Sequence, residues 1–234
     1  MGKVRIDRLV TERGLAPSRE RAQRLIMAGA VLVDGHPVDK AGALVDGGAR
    51  VEVRGDDNPY VSRGGQKLEG ALDDLGISVA GKVILDVGAS TGGFTDCCLR
   101  RGARRAFAVD VGTNQLDFSL RRDPRVLCLE KTNARGLEPG LFPEPAELAV
   151  IDVSFISLTL ILGPTLACLA PGGEIVAMVK PQFEAGREKV GKGGVVRDEA
   201  AREEAIAKVV ACAQDLGLDC AGRAESRLLG PKGN

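Results

Sequence analysis

Five short apolar runs recur through the last two-thirds of the chain: 83–87, 106–111, 126–130, 148–152 and 175–180. Each is almost continuously apolar rather than alternating, the pattern of a strand buried on both faces. Longer stretches separate them, and Glu199 to Leu216 predicts a helix. Strand and helix in alternation predict a parallel sheet with both faces covered. Asp219 to Glu225 predicts a sixth strand.

The first 55 or so residues are patterned differently. Ser18 is placed to cap a helix whose apolar stripe is Ala22, Leu25 and Ile26, with Gly29 as its stop. Val31-Leu32-Val33, Asp34-Gly35 and His36-Pro37-Val38 predict a hairpin. Val51-Glu52-Val53 predicts another short strand. The expected module is two short helices followed by a small sheet. A polar, glycine-rich stretch from Gly55 to Gly65 marks the boundary, and the expected domains are 1–58 and 59–234.

One segment imitates a membrane span. Val153 to Gly173 is 21 residues without a charge. It carries Pro164, several Ser and Thr, and ends in Pro171-Gly172-Gly173, which predicts a buried helix between two strands.

Composition narrows the classes. Lys+Arg and Asp+Glu are both 32, so the formal net charge is zero, and there is no Trp and one Tyr. Rows of stacked aromatics are therefore not expected as a recognition device. A neutral total argues against nucleic acid only until its distribution is considered. Residues 3 to 24 hold seven basic side chains against three acidic ones. Arg24 is expected opposite the apolar stripe, facing a phosphate backbone. A merely solvated helical face would look the same. The six cysteines include no C-x-x-C pair and there is one His, so no metal site is expected. The charged stretch from Met1 to Arg13 is unlike a signal peptide, and a cytoplasmic location is expected.

The candidate chemistry gathers at strand ends. Asp86-Val87-Gly88-Ala89-Ser90-Thr91-Gly92-Gly93 closes the first apolar run, and Asp110 closes the second. This is not G-x-G-x-x-G. A glycine turn between two acidic positions suits a nucleoside without phosphates, such as S-adenosylmethionine; a generic tight turn with a capping Asp is the alternative. Gly186-x-x-x-x-Gly191-Lys192-Gly193 is one residue from a P-loop, with Gly193 where Ser or Thr is required. A basic substrate loop offering Lys189 and Lys192 to phosphates is expected instead. Asp152 and Lys180 end the fourth and fifth runs, and Lys67 follows Arg63-Gly64-Gly65. A cationic cofactor and a second lysine would disfavour a charged lysine and let it act as a base; a purely structural Lys–Asp pair is the alternative.

These residues resemble a known family. Arg5 to Val10, Arg13 to Ala16, Ser18 to Ala22 and Val31 to Gly35 resemble an S4 RNA-binding domain. Tyr60 to Leu68, Asp86 to Asp96, Val109 to Leu116, Asp152 to Leu158, Val179 to Glu184 and Gly230 to Asn234 resemble the TlyA family, some of whose members carry a haemolysin label. The resemblance implies a Rossmann-like, S-adenosylmethionine-dependent methyltransferase fold of the FtsJ-like type behind a small α+β S4 domain. It implies 2′-O-methylation of cytidines in ribosomal RNA.

Lys67, Asp152 and Lys180 match the first three members of the family's catalytic Lys-Asp-Lys-Glu set. The fourth, a Glu expected shortly after Asn234 together with a last strand, is not found in the sequence, so either a fragment or an impaired enzyme is expected. The cofactor is expected on Asp86, Gly88, Ala89, Ser90, Thr91, Gly92, Gly93, Asp110, Val111, Asn133 and Asp152. Lys180 is expected as base, with Asp152 holding it and Lys67 orienting the hydroxyl. RNA is expected on Lys3, Arg5, Arg8, Arg13, Ser18, Arg19, Arg21, Arg24, Arg63, Lys189 and Lys192. The partners expected are ribosomal RNA and ribosomal subunits, met by a monomer without stable membrane association. The alternatives are a non-catalytic ribosome-assembly protein, a membrane-active cytolysin and an S4-bearing pseudouridine synthase.

Overall fold

The computed structural model describes residues 2–16, 18–27, 29–54, 58–191 and 193–228, without the side chain of Arg187. Lys192 and the Gly230–Asn234 motif, both singled out above, lie outside the described residues. The chain divides into two compact units, 1–59 and 60–234.

In the first unit, β1 (Lys3–Arg5) leads into α1 (Ile6–Glu12), followed by α2 (Arg19–Met27), β2 (Val31–Val33), β3 (His36–Pro37), β4 (Leu44–Asp46) and β5 (Val51–Val53). Ser18 Oγ accepts from the Arg21 amide at 3.2 Å, and Ala22, Leu25 and Ile26 are buried against Ile6, Val10 and Val31. At the β2–β3 turn Asp34 and Gly35 both have positive φ, 50° and 82°. That is the mirror-image turn whose twist matches a hairpin. The β1–β4 pairing was not legible in the sequence, because those strands are three residues each and mostly exposed.

The second unit opens with α3 (Gly64–Asp74) and continues β6 (Val83–Val87), α4 (Gly93–Arg100), β7 (Arg105–Val109), α5 (Phe118–Arg121), β8 (Val126–Leu129), β9 (Ala146–Ile151), α6 (Leu162–Ala167), β10 (Leu169–Ala177), α7 (Pro181–Glu184) and α8 (Glu199–Asp215). The sheet is wholly parallel in the order β10-β9-β6-β7-β8. Ile84, Leu148 and Val150 pack on one face with Leu68, Leu72 and Phe94. Leu85, Ala149 and Ile151 pack on the other with Ile161, Leu162 and Val209. Strand order reverses between β6 and β9, and in such sheets a crevice opens beyond the strand ends at that point.

Three expectations change. The helical part of the 153–173 segment is limited to a short 3-10 turn at Leu158–Leu160 and the six-residue α6. Among the described residues no helix is long and apolar enough to cross a membrane. Pro171-Gly172-Gly173 is not a terminator: β10 runs through it, with a register shift between Leu169 and Glu174. Asp219 to Glu225 forms no strand. Its residues are nearly all exposed, and the tail runs back along α3 to an Arg227–Asp74 ion pair at 2.5 Å. A segment with no apolar face to bury gains little from joining the sheet.

Candidate functional site

The strand-end residues converge. Asp152 follows β9, its amide donating to Val87 O at 3.1 Å, so the sheet itself positions it. Lys180 Nζ lies 2.6 Å from Asp152 Oδ1 and 3.0 Å from Ser154 Oγ. Lys67, on the first turns of α3, places Nζ 3.9 Å from Asp152 Oδ2 and 3.8 Å from Met178 Sδ. All three are about four-fifths buried, at 21%, 19% and 18% exposure for Lys67, Asp152 and Lys180. One carboxylate between two lysine amines gathers proton donors and acceptors in a largely buried crevice. That suits an oxygen losing a proton.

The glycine turn borders this cluster. Gly88, Ser90 and Gly92 have positive φ of 86°, 49° and 92°. A Cβ at Gly88 would come within 3.0 Å of Asp152 O, so the turn runs directly against the Asp152 loop. Gly92 and Gly93 answer to packing instead. Their added Cβ atoms would meet Leu120 Cδ1 and Ser62 Oγ, each at 2.3 Å. Ala89 is buried, while Ser90 is exposed and Thr91 partly so.

Both Asp110 oxygens accept backbone amides, from Ser90 at 2.8 Å and Gly112 at 2.7 Å. Asp110 therefore shapes the turn. Val111 beside it is 72% exposed. Asn133 is exposed and caps the following 3-10 turn by accepting from the Arg135 amide at 3.0 Å.

Asp86, expected among the cofactor contacts, has a buried side chain. It is fully buried beneath α4, accepts from Thr95 Oγ1 at 2.6 Å, and its Oδ1 has no hydrogen-bond partner among the described residues. Burial pushes its carboxyl up to about 7, against the Thr95 hydrogen bond. Thr95, Ser154 and Glu184 carry contacts that sequence reasoning missed. All three sit inside the quoted motifs, where only their neighbours received roles.

The basic residues of the first unit are less free than their charge count implies. Asp7, fully buried, accepts from Arg5 Nε and Nη2 at 3.0 and 2.9 Å, Arg19 Nε at 3.0 Å, Gln23 Nε2 at 2.8 Å and the Arg8 amide at 2.9 Å. These donors, led by Arg5, hold its carboxyl well below the usual range against the cost of burial. Arg5 and Arg19 remain about half exposed beside it. Arg8 pairs with Glu12 at 2.6 Å. Arg13 donates to Ala49 O and Gly47 O, both at 2.7 Å, and Arg21 to Asn58 O at 3.3 Å. Arg24 is half-buried rather than on a fully exposed face. Lys3 and, in the second unit, Arg63 are exposed. Lys189 pairs with Glu204.

Residues 60–234 match the FtsJ-like methyltransferase family and residues 4–51 the S4 domain. The chain is 48% identical over 233 residues to the 16S/23S rRNA (cytidine-2′-O)-methyltransferase TlyA of Mycobacterium tuberculosis, covering 99% of this chain and 87% of that protein. It is 42% identical to Hemolysin A of Brachyspira hyodysenteriae, covering 99% of this chain and 96% of that one. Among solved structures it is similar to the "Putative hemolysin from Streptococcus thermophilus" at 46% identity and a TM-score of 0.78, covering 100% of this chain and 86% of that one.

Proposed function

The chain belongs to the TlyA family, an S4 domain followed by an FtsJ-like methyltransferase domain, and on that footing we propose that it methylates the 2′-hydroxyl of cytidine in ribosomal RNA. The observation that carries this reading is the Lys67–Asp152–Lys180 cluster at the switch point of the sheet, against the Gly88–Gly92 turn.

The residues fit S-adenosylmethionine. The turn exposes Ser90 and lies between Asp110 and the Asp152 loop, and a buried carboxylate oxygen of Asp86 stands without a partner beneath it. Two acidic groups and a glycine backbone suit a nucleoside without phosphates, and a cationic one in particular. When bound, S-adenosylmethionine supplies an electrophilic methyl group. Gly88 to Thr91, Asp110, Val111 and Asn133 would hold it.

The chain's own work is placement and proton transfer. Asp152, held by the sheet, fixes Lys180 at 2.6 Å. Lys180 accepts the proton that the ribose 2′-oxygen loses. Lys67, on the other side of Asp152, orients that oxygen and stabilises its developing charge. Most of the acceleration comes from alignment, because the methyl donor is already activated. The S4 domain, through Lys3, Arg5 and Arg19, brings ribosomal RNA by phosphate contacts, and Arg63 adds one from the second unit.

The test is transfer of labelled methyl from S-adenosylmethionine to purified ribosomal subunits, with the modified ribose mapped. A label on cytidine 2′-oxygen supports the proposal. Cofactor binding without transfer to either subunit would overturn it.

A further inference from the structure

Lys180 does not sit on the sheet. The last ladder bond near it is Met178 N to Ile151 O, and Lys180 then precedes α7, a helix of four residues. A single turn cannot hold its own geometry in water, so something else must fix the segment that carries the candidate base. Glu184, the last residue of α7, is 4% exposed. Its Oε2 accepts from Ser157 Oγ at 2.5 Å and its Oε1 from the Leu158 amide at 2.7 Å. Its backbone oxygen accepts from Lys208 Nζ of α8 at 2.9 Å. The Phe155 and Phe183 rings, 5.2 Å apart, lie between this tie and the Lys180–Ser154 contact. The loop after Asp152 is thus fastened to the segment after Lys180 at three successive places, and Glu184 is the buried one.

We infer that Glu184 is a positioning residue: its buried carboxylate fastens the loop after β9 to α7 and thereby holds Lys180 on Asp152. The catalytic consequence rests on the function proposed above; the geometric claim does not. Buried carboxylates are costly unless fully hydrogen-bonded, and here both oxygens serve one turn of the neighbouring loop. Removing them frees that loop and α7 together. Lys180 then loses Ser154 first and its fixed distance to Asp152 next.

The experiment compares Glu184→Ala, Glu184→Gln and Ser157→Ala in the full chain. One readout is acetylation of the Lys180 amine by acetic anhydride, read by mass spectrometry against exposed Lys40 as the internal reference. It needs neither cofactor nor RNA. The other is methyl transfer, with kcat and cofactor KM separated. In Glu184→Ala, Lys180 acetylation rises toward that of Lys40, and kcat falls roughly ten- to hundredfold at little-changed cofactor KM, as expected for a misplaced reacting group. Glu184→Gln keeps an acceptor for Leu158 and a polar partner for Ser157, and restores both readouts. Ser157→Ala moves both in the same direction by less. Unchanged Lys180 acetylation in folded Glu184→Ala overturns the inference, as does failure of the Gln variant to rescue. If Glu184→Ala does not fold, unchanged acetylation in Ser157→Ala overturns it. A wild-type chain that transfers no methyl group overturns the proposed function alone, and the acetylation result still decides the role of Glu184.

Discussion

Lys180 Nζ stands 2.6 Å from Asp152 Oδ1, although the two residues lie on different strand-end loops and 28 positions apart in the chain. Parallel pairing of β9 with β10 is what brings them together. Lys180→Ala removes the candidate base and leaves the Gly88–Gly93 turn untouched. The expected outcome is a loss of methyl transfer of about 10²- to 10⁴-fold, the usual worth of a positioned general base, with S-adenosylmethionine affinity nearly unchanged by calorimetry. Near-normal turnover would remove Lys180 from the mechanism.

Asp86 makes stability depend on pH. Its folded carboxyl is pushed from 3.8 up to about 7, so folding favours the protonated form. That contribution is fully present below about 3.8 and is lost as pH rises through about 7. Asp86→Asn cannot ionise and keeps a group for Thr95 to bond. Its melting temperature should therefore fall less than the wild type's between pH 4 and 7, measured by thermal denaturation across buffers. Parallel curves for the two proteins would show that Asp86 does not titrate in this window.

Asp7 has the opposite sign. Its carboxyl is held low by Arg5, Gln23 and Arg19, so its contribution is present above the ordinary carboxylate range and disappears only in strong acid. Asp7→Asn should lower the melting temperature at neutral pH. It should also loosen the two arginines and weaken RNA binding, although Asp7 is fully buried and touches no solvent. Binding isotherms over a salt series check this: Arg19→Gln should reduce the slope of log K against log salt by about one. A slope unchanged by Arg19→Gln would take Arg19 off the phosphate backbone.

Gly92 tests whether the glycine turn serves packing or ligand. Its φ is +92°, and an added Cβ would lie 2.3 Å from Leu120 Cδ1 and 2.8 Å from Leu116 Cδ1. Gly92→Ala should cost roughly 1–3 kcal/mol by overpacking and left-handed strain, in the absence of any cofactor. Urea denaturation measures it. A stable variant with weakened cofactor binding would return Gly92 to the ligand side of the turn.

Local chemistry made much of this legible. Continuous apolar runs announced β6 to β9, because a strand covered on both faces has no polar side to show. Asp34-Gly35 announced its hairpin, because few residues accept positive φ twice in succession. Asp152 and Lys180 were legible as strand-end residues, and the resemblance tied them to Lys67. The same local reading failed at Asp219 to Glu225, an exposed segment with no apolar face, which forms no strand.

Length and zero net charge belong wholly to the sequence, as do the apolar runs of β6 to β9, the turn residues and the basic excess between Lys3 and Arg24. Which partners those residues take is a tertiary matter. Two arginines expected to face RNA spend part of their guanidinium on buried Asp7, and Arg13 closes on the carbonyls of Gly47 and Ala49. Glu184 reaches back 26 and 27 positions to Leu158 and Ser157. Periodicity and turn preference act over a few residues along the chain. Ion pairs and buried hydrogen bonds act across a few ångströms of space, and only the strand order of the folded sheet decides which residues those are.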